Sequence, residues 1–118
     1  MYDLDFWGAL EELVRRFPPV VDRPKGSAHP RYPSIRYPLD YGYLNGSTST
    51  DGEGVDVWLG SAPNLGLTAV ICTVDLGKGD SELKLLLGCT REEEQTVLAF
   101  HNQNQFVRGM LISRPAFF

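Results

Sequence analysis

The chain has 118 residues, of which 42% are hydrophobic and 22% are charged, and its formal net charge is −4. This length predicts a single domain over residues 1–118, and the composition is typical of a globular protein rather than a disordered one. The acidic balance argues against non-specific nucleic-acid binding, which requires a basic field. No apolar run reaches about 18 residues and no signal peptide is evident, so we expect a cytoplasmic protein without a membrane span.

The N-terminal part predicts one helix followed by an irregular region. Apolar residues recur every three or four positions within 3–17, which is typical of an amphipathic helix, and the proline pair at 18–19 ends it. Val20 and Val21 begin a short strand. The segment 22–33 is rich in proline and carries both charge signs, a pattern that by itself is typical of a solvated loop.

Three further strands are predicted in the second half. In 55–58 the valines alternate with Asp56 and Trp58, so we expect Asp56 to point away from the core. The runs 67–76 and 81–88 predict an antiparallel hairpin, with Glu82 and Lys84 on one face of its second strand.

The C-terminal part predicts a helix and a last strand. Thr90 and Glu93 fit a capping box, which predicts a helix from about residue 91 to 100 or 101. Capping and solubility account for the acidic residues of this helix. A strand follows at 109–113. Cys72 and Cys89 lie in or beside apolar runs and are expected in the core, although the sequence leaves a disulfide between them open. The element order predicts an α+β fold built on a small antiparallel sheet or barrel.

Acidic residues are concentrated in two places. Asp51, Glu53 and Asp56 follow the spacing D-x-E-x-x-D, and Asp75 and Asp80 bracket the turn of the predicted hairpin. Carboxylates at this density repel one another unless a cation lies among them, and oxygen ligands favour a hard divalent metal. The chain has no paired-cysteine zinc motif, P-loop or G-x-S-x-G elbow. Acids, basic side chains and tyrosines together suit phosphate chemistry.

Four ordered segments carry most of these residues: VVDRPKGSAHPRY at 20–32, YPLDYGYL at 37–44, DGEGVDVW at 51–58 and DLGKGD at 75–80. Together they resemble the soluble family I inorganic pyrophosphatases. The resemblance implies a mainly β form of the α+β class, with a small OB-like five-stranded antiparallel barrel, an N-terminal helix and one helix near the C-terminus. It also implies assembly as a homo-oligomer.

The resemblance further implies roles for individual residues. The metal ligands it implies are Asp51, Glu53, Asp56, Asp75 and Asp80. Among them, Glu53 and Asp56 are the implied catalytic residues, with Glu53 activating the attacking water. The phosphate-binding residues it implies are Asp22, Arg31, Arg36, Tyr41 and Lys84.

Two functions remain open at this point. The first is Mg²⁺-dependent hydrolysis of inorganic diphosphate to two phosphates by metal-activated water, with Mn²⁺ as an alternative metal and a small phosphate compound as the substrate. The second is a weakened or inactive relative that acts as a metal-phosphate or nucleotide-binding barrel. The second is favoured by Glu53, where the family has aspartate, and by the lack of the family's C-terminal Tyr-Lys pair.

Overall fold

The computed structural model describes residues 4–49 and 52–115. Two helices and six strands follow one another along the chain. They are α1 (Phe6–Arg16), β1 (Pro19–Arg23), β2 (Asp40–Leu44), β3 (Asp56–Leu59), β4 (Leu67–Asp75), β5 (Asp80–Leu87), α2 (Arg91–His101) and β6 (Val107–Ser113). No helix in these two ranges combines the length and the apolar character needed to cross a membrane.

The six strands form one mixed sheet in the order β1-β2-β3-β5-β4-β6. Neighbours are antiparallel except β3 and β5, which pair in parallel through Val57 opposite Leu85. The predicted α+β, mainly β class and both helices are therefore confirmed. The sheet has six strands rather than five and is mixed rather than purely antiparallel, because β5 lies beside β3 and runs parallel to it. Among the described strands β1 and β6 form the two edges and do not pair with each other, so the sheet is open.

Both faces of the sheet are buried. One core, on the α1 side, includes Val57 and Leu85, and the other, on the α2 side, includes Trp58 and Leu86. Successive residues of a strand point to opposite faces, so adjacent residues such as Val57 and Trp58 enter different cores. As predicted, Val55 and Val57 lie on one face and Trp58 on the other. The expectation that the second face points away from the core was wrong, because Trp58 is fully buried there.

Helix α1 is shorter than the predicted 3–17. The Asp5 carboxylate accepts a hydrogen bond from the Gly8 amide at 2.7 Å and caps the first turn, and Phe17 ends the helix ahead of the proline pair. The apolar side of α1 packs on the core that contains Val57 through Trp7 and Leu10, among others. This contact confirms that its apolar stripe faces the sheet.

Helix α2 begins at the predicted capping box. Thr90 accepts a hydrogen bond from the Glu93 amide, and Glu93 accepts one from the Thr90 amide. The prediction that capping and solubility account for the acids of α2 was wrong for Glu94. That residue is buried, and its carboxylate accepts a hydrogen bond from the Ser113 hydroxyl of β6 at 2.7 Å. The bond attaches α2 to the last strand of the sheet.

Both cysteines are free thiols in the fold. Cys89 is buried in the core on the α2 side, whereas Cys72 in β4 is half-buried. Burial raises the pKa of the Cys89 thiol to about 12, and the nearby Glu93 and Glu94 add to the shift. The protonated thiol is a poor nucleophile at neutral pH, so Cys89 is a packing residue.

The capping box gives a prediction about stability. Thr90→Ala removes the hydroxyl that accepts the Glu93 amide, so we expect the free energy of unfolding to fall by about 1 kcal/mol in urea titrations followed by circular dichroism. Thr96→Ala makes the same chemical change on the exposed side of α2, where we expect a change within about 0.5 kcal/mol. Equal losses in the two variants would contradict the capping role.

Candidate functional site

A cavity of about 910 Å³ lies on the α2 side of the sheet. Its walls come from the end of β1, the segment 29–37, strands β2 and β3, the turn of the β4–β5 hairpin and the end of α2. Eight of the ten predicted site residues line this cavity. They are Asp22, Arg31, Tyr41, Glu53, Asp56, Asp75, Asp80 and Lys84.

The other two predicted residues are placed differently. Arg36 does not line the cavity, and its guanidinium donates a hydrogen bond to the Gly26 carbonyl at 3.3 Å. That bond helps to join the two sides of the loop between β1 and β2, where Ala28 also pairs with Arg36. Asp51 lies outside the described residues.

A bulge in β1 brings two residues to the cavity instead of one. Val21 pairs with Gly42 and Arg23 with Tyr41, so Asp22 is an extra residue between them. Both Asp22 and Arg23 line the cavity as a result. A Cβ on Gly42 would stand 1.8 Å from the Val20 carbonyl oxygen, which shows how closely β1 approaches β2 at this position. Only glycine fits at that position.

The β4–β5 hairpin places two carboxylates opposite each other. Asp75 and Asp80 are directly paired residues at the end of the ladder, and both line the cavity. The Asp75 carboxylate accepts a hydrogen bond from the Lys78 amide at 3.0 Å, which orders the turn. Like charges on directly opposed residues destabilise a sheet, so this pair favours a cation between or beside them.

Hydrogen bonds to the backbone of Glu53 fix the position of this residue at the edge of the cavity. The Ser49 amide and hydroxyl donate hydrogen bonds to the Glu53 carbonyl at 2.7 and 2.9 Å. Two residues further on, the Val55 amide donates to the Ser47 hydroxyl at 2.9 Å. These bonds fix the segment from which the exposed side chain of Glu53 reaches the cavity wall.

Lys84 lies at the centre of a charged cluster. Its ammonium donates to Asp56 Oδ2, Glu82 Oε2 and the Tyr41 hydroxyl, each at 2.8 Å, and the residue is only 7% exposed. Tyr41 in turn donates its hydroxyl proton to Asp56 Oδ2 at 2.8 Å. The cluster joins β2, β3 and β5 on the face that carries the cavity.

The protonation states of this cluster follow from burial and charge. Burial disfavours a charged Lys84, but its contacts with Tyr41, Asp56 and Glu82 outweigh burial and hold the pKa of the ammonium above its ordinary value. Burial raises the pKa of the Tyr41 hydroxyl, although Lys84 opposes the shift. At neutral pH the cluster therefore contains a lysine cation, a neutral phenol and the side chains of Asp56 and Glu82. The Lys84 ammonium already donates all three of its protons to these partners.

A buried neutral histidine lies beside this cluster. His101, at the end of α2, accepts a hydrogen bond from the indole of Trp58 at 3.1 Å and lines the cavity. Burial lowers the pKa of His101 to about 3, and the positive charge of Lys84 adds to the shift while Asp56 opposes it. The imidazole is therefore uncharged at neutral pH and forms part of the cavity floor.

Basic residues cluster near the loop between β1 and β2. The pKa of His29 is lowered first by burial and then by the positive charges of Arg23, Lys78 and Arg31. His29 accepts hydrogen bonds from the amides of Arg31 and Tyr32 at 3.1 and 3.2 Å, so its ring is fixed as well as neutral. The cavity thus has a basic region close to its acidic one.

The donor chemistry of the cavity fits Mg²⁺, which prefers carboxylate oxygens. Asp56, Glu53 and the opposed pair Asp75 and Asp80 carry such oxygens and all line the cavity. Within residues 4–49 and 52–115, however, no three histidine, cysteine, aspartate or glutamate side chains are grouped closely enough to hold a metal ion. The positive charge beside Asp56 comes from Lys84 instead.

Several residues that line the cavity were not predicted as site residues from the sequence. Arg23 and His29 belong to the charged segment 22–33, whose composition alone indicated only a loop. Glu82 was visible on the same strand face as Lys84, but its contact with the ammonium depends on the fold. For His101 no signal was present, because a single histidine at a helix end is more often a core residue.

Comparisons with protein-family models and with curated protein sequences each give no match. Among solved structures, the chain is similar to an inorganic pyrophosphatase from the bacterium Helicobacter pylori. The two share 13% sequence identity and a TM-score of 0.54, over 80% of this chain and 81% of that one. The likeness shows that this chain has a pyrophosphatase-like fold.

His101 gives a prediction about pH. Its folded pKa of about 3 lies below the ordinary value of 6.5, so between these values the unfolded chain binds a proton that the folded chain does not. The contribution of His101 to the free energy of unfolding is therefore fully present above pH 6.5 and is lost as the pH falls. We expect a loss of about 1 kcal/mol in the free energy of unfolding between pH 7.5 and 5.5, measured by urea titration.

His101→Gln is the control, because an amide oxygen can still accept the Trp58 indole but does not titrate. The other histidine, His29, also has a lowered pKa and contributes equally in both proteins. We expect the pH-dependent loss to be smaller in His101→Gln than in the wild type. Identical losses would show that His101 is not a buried neutral imidazole.

Proposed function

We propose that this chain hydrolyses inorganic diphosphate to two phosphates in a Mg²⁺-dependent reaction, with Mn²⁺ able to replace Mg²⁺. The observation that carries the proposal is the meeting of four separate sequence segments at one cavity, which brings acids, bases and phenols together. The pyrophosphatase-like fold adds support. Assembly as a homo-oligomer remains a prediction.

The residues proposed to hold the metal are Asp51, Glu53, Asp56, Asp75 and Asp80. The directly opposed Asp75 and Asp80 support this assignment, because a bound cation would remove their mutual repulsion. When bound, Mg²⁺ would neutralise phosphate charge and lower the pKa of water. The remaining chemistry belongs to the side chains of the chain itself.

Glu53 is proposed as the general base. It would accept a proton from the water that attacks one phosphorus, while the bond between that phosphorus and the bridging oxygen breaks and releases the second phosphate. Its exposed carboxylate at the cavity mouth suits contact with water, and the bonds from Ser49 hold its backbone in place.

The basic side chains are proposed to bind the phosphate oxygens. Arg23, Arg31 and Lys78 line the cavity close to His29, whose pKa is lowered first by burial and then by their positive charges. Such charges neutralise the substrate and stabilise the charge that shifts to the leaving phosphate. Tyr41 remains protonated because burial raises its pKa, and so its hydroxyl keeps Asp56 oriented towards the cavity wall.

A second candidate function is binding of diphosphate, metal-phosphate or a nucleotide without turnover. Two observations favour it: Lys84 already neutralises Asp56, and the described residues contain no ready group of three metal ligands. In this case the cavity would retain a phosphate ligand through its basic residues. The two candidates differ in turnover and in metal dependence.

The proposed hydrolysis is tested by measuring phosphate release from diphosphate with Mg²⁺ and with Mn²⁺. We expect metal-dependent release by the wild type and a loss of at least about 100-fold in Asp56→Asn, because the substitution removes a proposed catalytic and metal-binding carboxylate. Asp40→Asn is the control: Asp40 lies outside the cavity lining, and an asparagine oxygen can still accept the Lys25 amide that Asp40 accepts at 2.8 Å.

Absence of metal-dependent release, even at high protein concentration with either metal, would overturn the proposed hydrolysis. Calorimetric titration with diphosphate, phosphate and nucleotides then identifies the second candidate, since it predicts tight binding without turnover. Equal losses of activity in Asp56→Asn and Asp40→Asn would show that the effect does not arise at the cavity.

A further inference from the structure

The position of Lys84 conflicts with a cation at Asp56. The ammonium is 2.8 Å from Asp56 Oδ2 and 2.8 Å from Glu82 Oε2, and its third proton goes to Tyr41. A divalent cation bound to the same carboxylate would stand close to this ammonium. Two positive charges at such a distance in a partly buried site repel strongly.

The repulsion can be relieved by movement of the lysine. Its stem is flexible, its side chain lines the open cavity, and the carboxylates it now contacts are 31% and 17% exposed for Asp56 and Glu82. All three of its protons are used, so it can donate to a phosphate oxygen only by giving up a present partner. If a metal took the place of Lys84 at Asp56, one ammonium proton of Lys84 would become available for a phosphate oxygen.

We propose that Lys84 and the divalent cation compete for Asp56, and that metal binding moves the Lys84 ammonium from the carboxylate cluster to the phosphate ligand. The proposal rests on the proposed metal-dependent function and specifies how the site is loaded. Without metal, Lys84 keeps Asp56 neutralised and in position. With metal, the same charge becomes available to the substrate, so metal binding and phosphate binding reinforce each other.

Metal affinity without substrate tests the competition. Mn²⁺ is titrated calorimetrically into the wild type, Lys84→Met and the charge-matched control Lys78→Met, whose lysine lines the same cavity on the exposed hairpin turn. Both variants lose one positive charge, but only Lys84→Met removes a competitor. We expect Lys84→Met to bind Mn²⁺ about tenfold tighter than Lys78→Met, a change within the range by which partners of metal ligands alter affinity.

Equal affinities in the two variants would overturn the competition. Lys84→Gln is titrated in parallel, because its amide can still donate to Asp56 and Tyr41 if the methionine variant does not fold. The expected result for Lys84→Gln is the same increase in affinity relative to Lys78→Met.

The movement of the lysine is tested in the wild type alone. The chain contains three lysines, of which Lys84 is buried while Lys25 and Lys78 are exposed. Reductive methylation followed by mass spectrometry measures the reactivity of each. We expect saturating Mg²⁺ to raise the rate at Lys84 several-fold and to leave Lys25 unchanged. Unchanged protection of Lys84 in the metal-loaded protein would overturn the release.

These outcomes separate the inference from the proposed function. Diphosphate hydrolysis by the wild type with equal Mn²⁺ affinity in Lys84→Met and Lys78→Met would refute the competition and leave the function standing. Tighter metal binding by Lys84→Met and metal-induced reactivity of Lys84, without hydrolysis, would support the competition and refute the function. Failure of every protein to bind Mn²⁺ would overturn both.

Discussion

The Lys84 ammonium joins three strands on the face of the sheet that carries the cavity. Lys84 in β5 contacts Asp56 of β3 and Tyr41 of β2, and these partners lie 28 and 43 residues away in the sequence. Without this cation, Asp56 of β3 and Glu82 of β5 would be two partly buried negative charges on one face of the sheet. Removal of one member of a buried ion pair costs about 3–5 kcal/mol. The cluster can form because β5 inserts beside β3.

The two-sided burial of the sheet explains the character of the cavity. The α1 side is apolar, so the chain can place charged residues on the other face and still retain a core. On that face the buried Trp58 donates to a neutral His101, and this uncharged pair lies beside the charged cluster. Such surroundings strengthen the hydrogen bonds of Lys84, and they also make any unpaired charge in the cavity costly. Lys84 supplies the compensating positive charge at Asp56.

The features that the sequence predicted correctly depend on local patterns. The β4–β5 hairpin and the capping box of α2 follow from residue spacing within about ten residues, as does the opposition of Asp75 and Asp80 across the turn. The placement of β5 beside β3, the burial of both sheet faces and the role of Glu94 depend on distant pairing, which residue spacing does not encode. The bulge at Asp22, which brings Arg23 to the cavity, likewise depends on the register with β2.

We propose that the acids of the cavity bind a divalent cation together with a phosphate compound. This proposal is tested most directly by a crystal structure of the wild type with Mn²⁺ and a non-hydrolysable diphosphate analogue, using anomalous scattering to locate the metal. We expect Mn²⁺ in contact with Asp56, Asp75 and Asp80, and Lys84 hydrogen-bonded to the analogue. Mn²⁺ bound away from these carboxylates, with Lys84 still on Asp56, would contradict it.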